Sequence, residues 1–159
     1  MGGLDAVIIA IGGGGTAAGA GTAFKLLMPE VAVYGVEPAG ADLMAHSFAV
    51  GGPYTMGPMS SIADSLMAPH TEAYSYGLCR RSLDGLVTVT DDELRAAMLR
   101  LFEELKLATE PACAAATAAI MGPLRERLAG KRVGVLLCGT NTDPATFARH
   151  LEAAQARAV

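Results

Sequence analysis

Ala6-Val7-Ile8-Ile9-Ala10-Ile11-Gly12-Gly13-Gly14-Gly15-Thr16 decides how this chain folds. The first six residues form a short apolar run rich in β-branched side chains, which predicts a buried strand. Four glycines follow. Small and apolar residues then predict a helix over Thr16–Leu27, ended by Met28-Pro29. Strand, tight glycine turn and helix are how α/β proteins build an anion pocket. Glycine lets the backbone turn sharply and come close to a ligand. Successive N–H groups then converge on one spot, and the helix N-terminus adds partial positive charge. A phosphate suits such a pocket. A turn chosen only for packing is the alternative, but four consecutive glycines carry an entropic cost that a ligand justifies better.

The 159 residues are enough for one domain with a sizeable core. A formal charge of −4, with no basic run, argues against nucleic acid as the partner. Hydrophobic residues make up 52%, charged residues 18%, and the mean hydropathy is +0.36. Such a composition implies that some apolar surface meets another copy or another domain. Ala6–Phe24 is uncharged, but six glycines between Gly12 and Gly21 make it a poor membrane span. Asp5 as the first charge does not fit a secretory leader. Cys79, Cys113 and Cys138 are odd in number and lack metal-like spacing, which fits a reducing, cytoplasmic location. Cys79 and Cys113 read as packing residues.

Downstream, Val31–Val36 reads as a strand, Ala41–Val50 as a helix and Gly51–Ser61 as a loop. Thr71–Ser82 reads as a helix and Leu86–Val89 as a strand. Thr90 and Glu93 form a capping box for a helix running to about Leu107. Pro111 opens a helix of small residues that turns polar at Arg125–Arg127 and stops at Gly130. Arg132–Leu137 reads as the last strand, Cys138–Asp143 as a loop, and Pro144 to about Gln155 as the last helix. Alternating strands and helices predict a single three-layer α/β domain over residues 1–159. Its four-stranded, mainly parallel sheet would carry helices on both faces. Ligands in such sheets bind beyond the carboxyl ends of the strands. Gly12–Gly15, Glu37-Pro38, Thr90-Asp91 and Cys138–Asn141 gather there.

Two families compete for these residues. Gly13, Gly15 and Ala18 fit the dinucleotide pattern G-x-G-x-x-A, with Glu37 where a ribose-binding acid would stand. The whole chain carries more. Gly12–Gly15, Val36-Glu37-Pro38, Ile62-Ala63-Asp64, Val87–Glu93, Thr109-Glu110-Pro111-Ala112 and Leu137–Asn141 come in one order. That order resembles the second half of the serine/threonine dehydratases (threonine ammonia-lyases) and serine racemase, pyridoxal 5′-phosphate enzymes of fold type II. The resemblance implies the large-domain part of the tryptophan synthase β-like fold. It also implies β-elimination of water and ammonia from serine or threonine, giving a 2-oxo acid.

The resemblance assigns roles to particular residues. Gly12, Gly13, Gly14 and Gly15 would hold the cofactor phosphate, Cys138 would face the pyridine nitrogen, Glu110 would lie beside the ring, and Asn141 would close the loop. Glu37 and the carbonyl of Ala41 match two ligands of a divalent-cation site, but Leu43 stands where its acidic ligand is expected. Asp42 would reach that place only with a shift of register. Ser65 and Thr140 replace two glycines of the family pattern. Asp64 reads as a capping or turn residue, and His46, His70 and His150 receive no role.

The resemblance places the Schiff-base lysine, the substrate-carboxylate loop and the small domain in the other half. Lys25, Lys106 and Lys131 are the lysines here, and none has the Ser-x-Lys setting. The expectation is therefore a C-terminal, cofactor-binding part with no catalytic residue of its own, inactive alone. It would be completed by the N-terminal half or by self-association. A self-associating module for a phosphate-bearing ligand or nucleotide is the third possibility.

Overall fold

The computed structural model describes residues 3–157, so the expected domain span runs two residues beyond it at each end. Strand β1 (Ala6–Ala10) forms where apolar side chains can be buried on both faces, and Ala6 to Ile9 are buried. Strand β2 (Ala32–Pro38) pairs with it in parallel, from Ala6 against Ala32 to Ala10 against Val36. Strand β3 (Gly85–Val89) lies outside β2, and β4 (Val133–Val135) lies on the other side of β1. The order across the sheet is β3-β2-β1-β4, and every pairing is parallel. The chain thus steps outward from β1 to β3 and then crosses back to the far flank of β1. Where strand order reverses, neighbouring connections leave in opposite directions and open a crevice at the carboxyl ends. Here that crevice falls between β1 and β4.

Alternate residues of the strands feed two cores. On one face Val7, Ile9, Ile11 and Val33 pack with Ala17 and Ala18 of α1 (Gly15–Leu27), Met44 of α2 (Leu43–Val50) and Cys79 of α3 (Ala73–Ser82). On the other, Ile8, Tyr34, Val36 and Val89 pack with Leu94 and Met98 of α4 (Asp91–Leu105) and with the alanines of α5 (Pro111–Met121). Helix α6 (Pro144–Gln155) packs against the same layer through Phe147 and Leu151. Residues Pro111 to Ala116 of α5 are all buried, because small side chains let this helix press closely on the sheet.

The expected capping box is formed. Thr90 N donates to Glu93 Oε2 at 2.7 Å, and Glu93 N donates to Thr90 Oγ1 at 3.3 Å. Thr90→Ala should therefore lower unfolding stability by about 1 kcal/mol, read as a shift in the urea midpoint. Asp143 caps α6 by accepting from the amides of Ala145 and Thr146, each at 3.0 Å.

One helix differs from its expected course. Helix α5 ends at Met121 instead of running to Gly130. Pro123 has no N–H to continue the ladder, and it disfavours helical geometry in Gly122 before it. Turns occupy the stretch to Gly130, yet Leu124 and Leu128 still bury their side chains. Strand β4 is also shorter than expected, although Leu136 N still donates to Ile8 O. Among the described residues, no helix is long and apolar enough to cross a membrane.

Candidate functional site

The glycine turn joins β1 to α1 at the mouth of the crevice. Gly14 is the N-cap of α1 with φ of +95°, in the left-handed region where a Cβ is strained. A Cβ there would also lie 2.7 Å from Met44 Cε. At Gly12 a Cβ would meet backbone instead, 3.2 Å from Leu66 Cα and 3.3 Å from the carbonyl oxygens of Ser65 and Leu66. Those two residues belong to a short 3-10 turn, Asp64–Leu66, that closes over the glycines. Glycine is thus required at Gly12 for close approach and at Gly14 for conformation.

The carbonyls of the turn are held at the rear. Gly13 O accepts from Thr71 Oγ1 at 2.9 Å. Gly14 O accepts from Ala18 N at 2.8 Å and has the Cys79 thiol at 3.6 Å. The amides of residues 12–17, by contrast, find no protein acceptor among the described residues. No acidic side chain occupies the first turn of α1, and no side chain caps it. An anion would meet several free donors and the positive end of the helix together.

These amides open into a cavity of about 240 Å³. Gly12 to Ala17 form one wall, Ser65 and Leu66 another, and Glu110, Ala112, Leu136 and Cys138 the far side. The crevice between β1 and β4 therefore brings Gly12–Gly15, Glu110 and Cys138 together, although Gly12 and Cys138 lie at opposite ends of the chain. Cys138 is exposed, but partial desolvation raises its thiol above the usual range, and the neighbouring Cys113 and Glu110 push the same way, so it stays neutral at neutral pH. Glu110 is buried just before α5, and its carboxylate makes no hydrogen bond among the described residues. A side chain at Gly139 would overlap that carboxylate and push it aside, so glycine there leaves Glu110 in its place. Free amides, a neutral thiol and an uncommitted carboxylate around one hollow fit a phosphate-bearing aromatic ring.

Asn141 does not line this hollow. It borders an adjoining cleft with Asp64, Asp143 and His150. Glu37 lies at the end of β2 and is wholly buried. Its Oε1 accepts from Met44 N at 2.6 Å and its Oε2 from Ala45 N at 2.9 Å. Both oxygens are thus committed to the start of α2. Ala41 and Leu43 are also fully buried. Leu43 brings no side-chain oxygen, although hard cations require oxygen ligands, and among the described residues no three His, Cys, Asp or Glu side chains gather as a metal site. The bonds from Met44 and Ala45 keep Glu37 from a ribose, which removes the acid that the dinucleotide alternative needs. None of the three lysines lines the cavity. Lys25 pairs with Asp84, Lys106 Nζ donates to Glu103 O, and Lys131 is exposed.

Two residues that touch the turn carry no signal in the sequence. Cys79 reads there as packing, and Thr71 as the start of a helix. Their contacts with Gly13 and Gly14 span 58 and 65 positions, and no local pattern encodes them.

Comparison with known proteins adds an independent line. The profile of the family described as "Pyridoxal-phosphate dependent enzyme" matches residues 1–139. Phenylserine dehydratase of Ralstonia pickettii is 72% identical over 150 residues, covering 94% of this chain and 46% of that enzyme. The processed form of threonine deaminase isoform 2 from Solanum lycopersicum superposes with a TM-score of 0.90 at 28% identity, covering 96% of this chain and 42% of that one. Maize serine racemase gives 0.84 at 30% identity, covering 94% of this chain and 47% of that one. The chain spans a little under half the length of these relatives.

Proposed function

The chain belongs to the pyridoxal-phosphate dependent enzyme family, and on that footing we propose that it forms the C-terminal, cofactor-holding part of an amino-acid dehydratase. Its sheet is that of the fold-type II enzymes, threonine deaminase and serine racemase among them. The reaction is loss of water and ammonia from a 3-hydroxy amino acid, giving a 2-oxo acid. Serine and threonine are candidate substrates. The 72% identity to a phenylserine dehydratase puts an aromatic 3-hydroxy amino acid first among those to test.

Bound pyridoxal 5′-phosphate would supply the electron-withdrawing ring that makes the substrate α-proton acidic. The chain's own residues bind and orient. Amides of residues 12–17 and the N-terminus of α1 would hold the phosphate. Cys138, a neutral thiol, would face the ring nitrogen and bring no charge to it. Glu110 lines the cavity with Cys138, and Leu66 and Leu136 would give the ring apolar neighbours. No lysine of this chain reaches the cavity, so the base for the α-proton and the group that attaches the cofactor come from another segment. That segment is an N-terminal half, with a second copy of this chain as the other source of cover. Free cysteines at 79, 113 and 138 support a reducing, cytoplasmic setting.

The observation that carries this reading is the meeting of Gly12–Gly15, Glu110 and Cys138 around one cavity. Titration of the purified chain with pyridoxal 5′-phosphate tests it. Saturable one-site binding, displaced by inorganic phosphate, is expected, with no 2-oxo acid released from phenylserine, serine or threonine. Absence of binding, or binding indifferent to phosphate, would overturn the site. Steady release of 2-oxo acid would overturn the claim that this part is inactive alone.

A further inference from the structure

A run of glycines has little to fix the direction of its own peptide groups. Yet a phosphate is gripped well only if the amides already converge before it arrives, since ordering them on binding would weaken the affinity. The α1 bond from Ala18 N orients the Gly14 carbonyl, but the Gly13 carbonyl has no helix bond, so something outside the turn must set its direction. We propose that Thr71 and Cys79 are positioning residues for phosphate binding, acting through the carbonyls of Gly13 and Gly14. The inference rests on the reading that residues 12–17 hold a phosphate.

The geometry follows from the peptide group. In a trans peptide the C=O of one residue and the N–H of the next point in opposite directions, and no cis bond occurs among the described residues. Thr71 Oγ1 donates to Gly13 O at 2.9 Å from the side of α3, away from the cavity. That bond turns the Gly14 N–H the other way. Cys79 Sγ approaches Gly14 O at 3.6 Å and reinforces a carbonyl that Ala18 N already holds at 2.8 Å, which keeps the Gly15 N–H in its direction. Thr71 is 4% exposed and Cys79 is fully buried, so neither bond competes with water. Thr71 lies just ahead of α3 and Cys79 lies two turns into it, where the helix packs along α1.

Cys79 remains a donor throughout the physiological range. Burial, and then the nearby Glu37 carboxylate, push its thiol up to about 11. Met44 Cε also packs against Gly14 on this side, so the rear of the turn is closed by α2 and α3 together.

The test uses the 159-residue chain and two probes, inorganic phosphate and pyridoxine 5′-phosphate, titrated by calorimetry and followed by the ³¹P resonance of the bound probe. Thr71→Val keeps the shape and removes the donor. It should weaken both probes about tenfold, the effect of one lost hydrogen bond that orients a donor to a charged group, and should move the bound ³¹P resonance. Thr71→Ser, which restores the hydroxyl, should return affinity and resonance toward wild type. Cys79→Ala is the second variant, with a loss of about threefold expected for a weaker thiol donor. It decides the matter should Thr71→Val fail to fold. Wild-type affinity in Thr71→Val, or equal loss in the valine and serine variants, would overturn the inference while leaving the phosphate site intact. A wild-type chain that binds neither probe would overturn both.

Discussion

Gly14→Val is expected to abolish measurable phosphate binding and to lower unfolding stability by about 3 kcal/mol. Two independent causes act at this position. The backbone sits at φ +95°, where a β-branched residue is an outlier. A Cβ would also lie 2.7 Å from Met44 Cε, so valine methyls force the end of the buried Met44 side chain to move. Relief requires the turn to flip toward ordinary φ, and the amides of Gly14, Gly15 and Thr16 then no longer converge. Losing even two of these three donors to a dianion corresponds to at least on the order of a hundredfold in affinity. Gly15→Ala is the comparison. A Cβ there meets nothing within 4 Å, and Gly15 is already the first residue of α1. Its stability should be unchanged or slightly raised, because alanine loses less backbone entropy than glycine in a helix. Urea unfolding and phosphate calorimetry on both variants check this. Equal midpoints for the two would mean that the left-handed turn is not held in solution.

Unfolding stability should fall as pH rises from about 5 to 8, and Glu37→Gln should flatten that slope. Burial raises the Glu37 carboxyl from its usual value to about 7, against the opposing pull of the Met44 and Ala45 amides. A carboxyl whose folded value is raised favours the folded state below its unfolded value. That advantage disappears as pH climbs through the folded value, because the unfolded chain gives up the proton first. The span is about 3 kcal/mol. His150 works in the opposite sense near the same window. Its folded value is lowered by burial and then by Arg95 and Arg149, so its contribution is lost as pH falls. The difference between wild type and Glu37→Gln therefore isolates Glu37. Glutamine can accept from only one of the two amides, so the variant should start about 1–2 kcal/mol less stable at about pH 5. Urea midpoints across that pH range suffice, and parallel curves would refute the assignment. Asp5, Asp84 and Asp143 have lowered values and act only in more acidic solution.

Local chemistry made most of this fold legible. The glycine turn announced itself by composition, the capping box by its Thr90 to Glu93 spacing, and α6 by Pro144 at its first position. Those signals lie within a few residues of what they specify. The early end of α5 was equally local, because Gly122-Pro123 stood in the chain, but the polar residues at 125–127 suggested a continuing helix. The site was legible only as far as strand ends could be matched. Gly12–Gly15, Glu110 and Cys138 each follow a strand or precede a helix at the same rim, so topology alone brings them together. Asn141 follows Cys138 closely, yet the chain has by then turned toward α6, so it borders a different cleft. The contacts of Thr71 and Cys79 depend on how α3 lies against α1. The saturation of Glu37 by two amides depends on where α2 begins. No periodicity encodes either.

The arrangement of the sheet also bears on how the protein comes to be folded. Strand β4 is docked on β1 by a three-residue ladder and by Asp5, whose N–H donates to Arg132 O at 2.9 Å and whose carboxylate accepts from Arg132 N at 2.7 Å at the base of the two strands. Asp5 and Arg132 are 127 positions apart. Closing so long a loop carries a large entropic penalty before any contact rewards it. On this ground the hollow between β1 and β4 is expected to be among the last features to form, after the more local helices and the β1–β2 pair. Ligand affinity should consequently report on completion of the whole chain: a folding intermediate with native helix content would still lack the site.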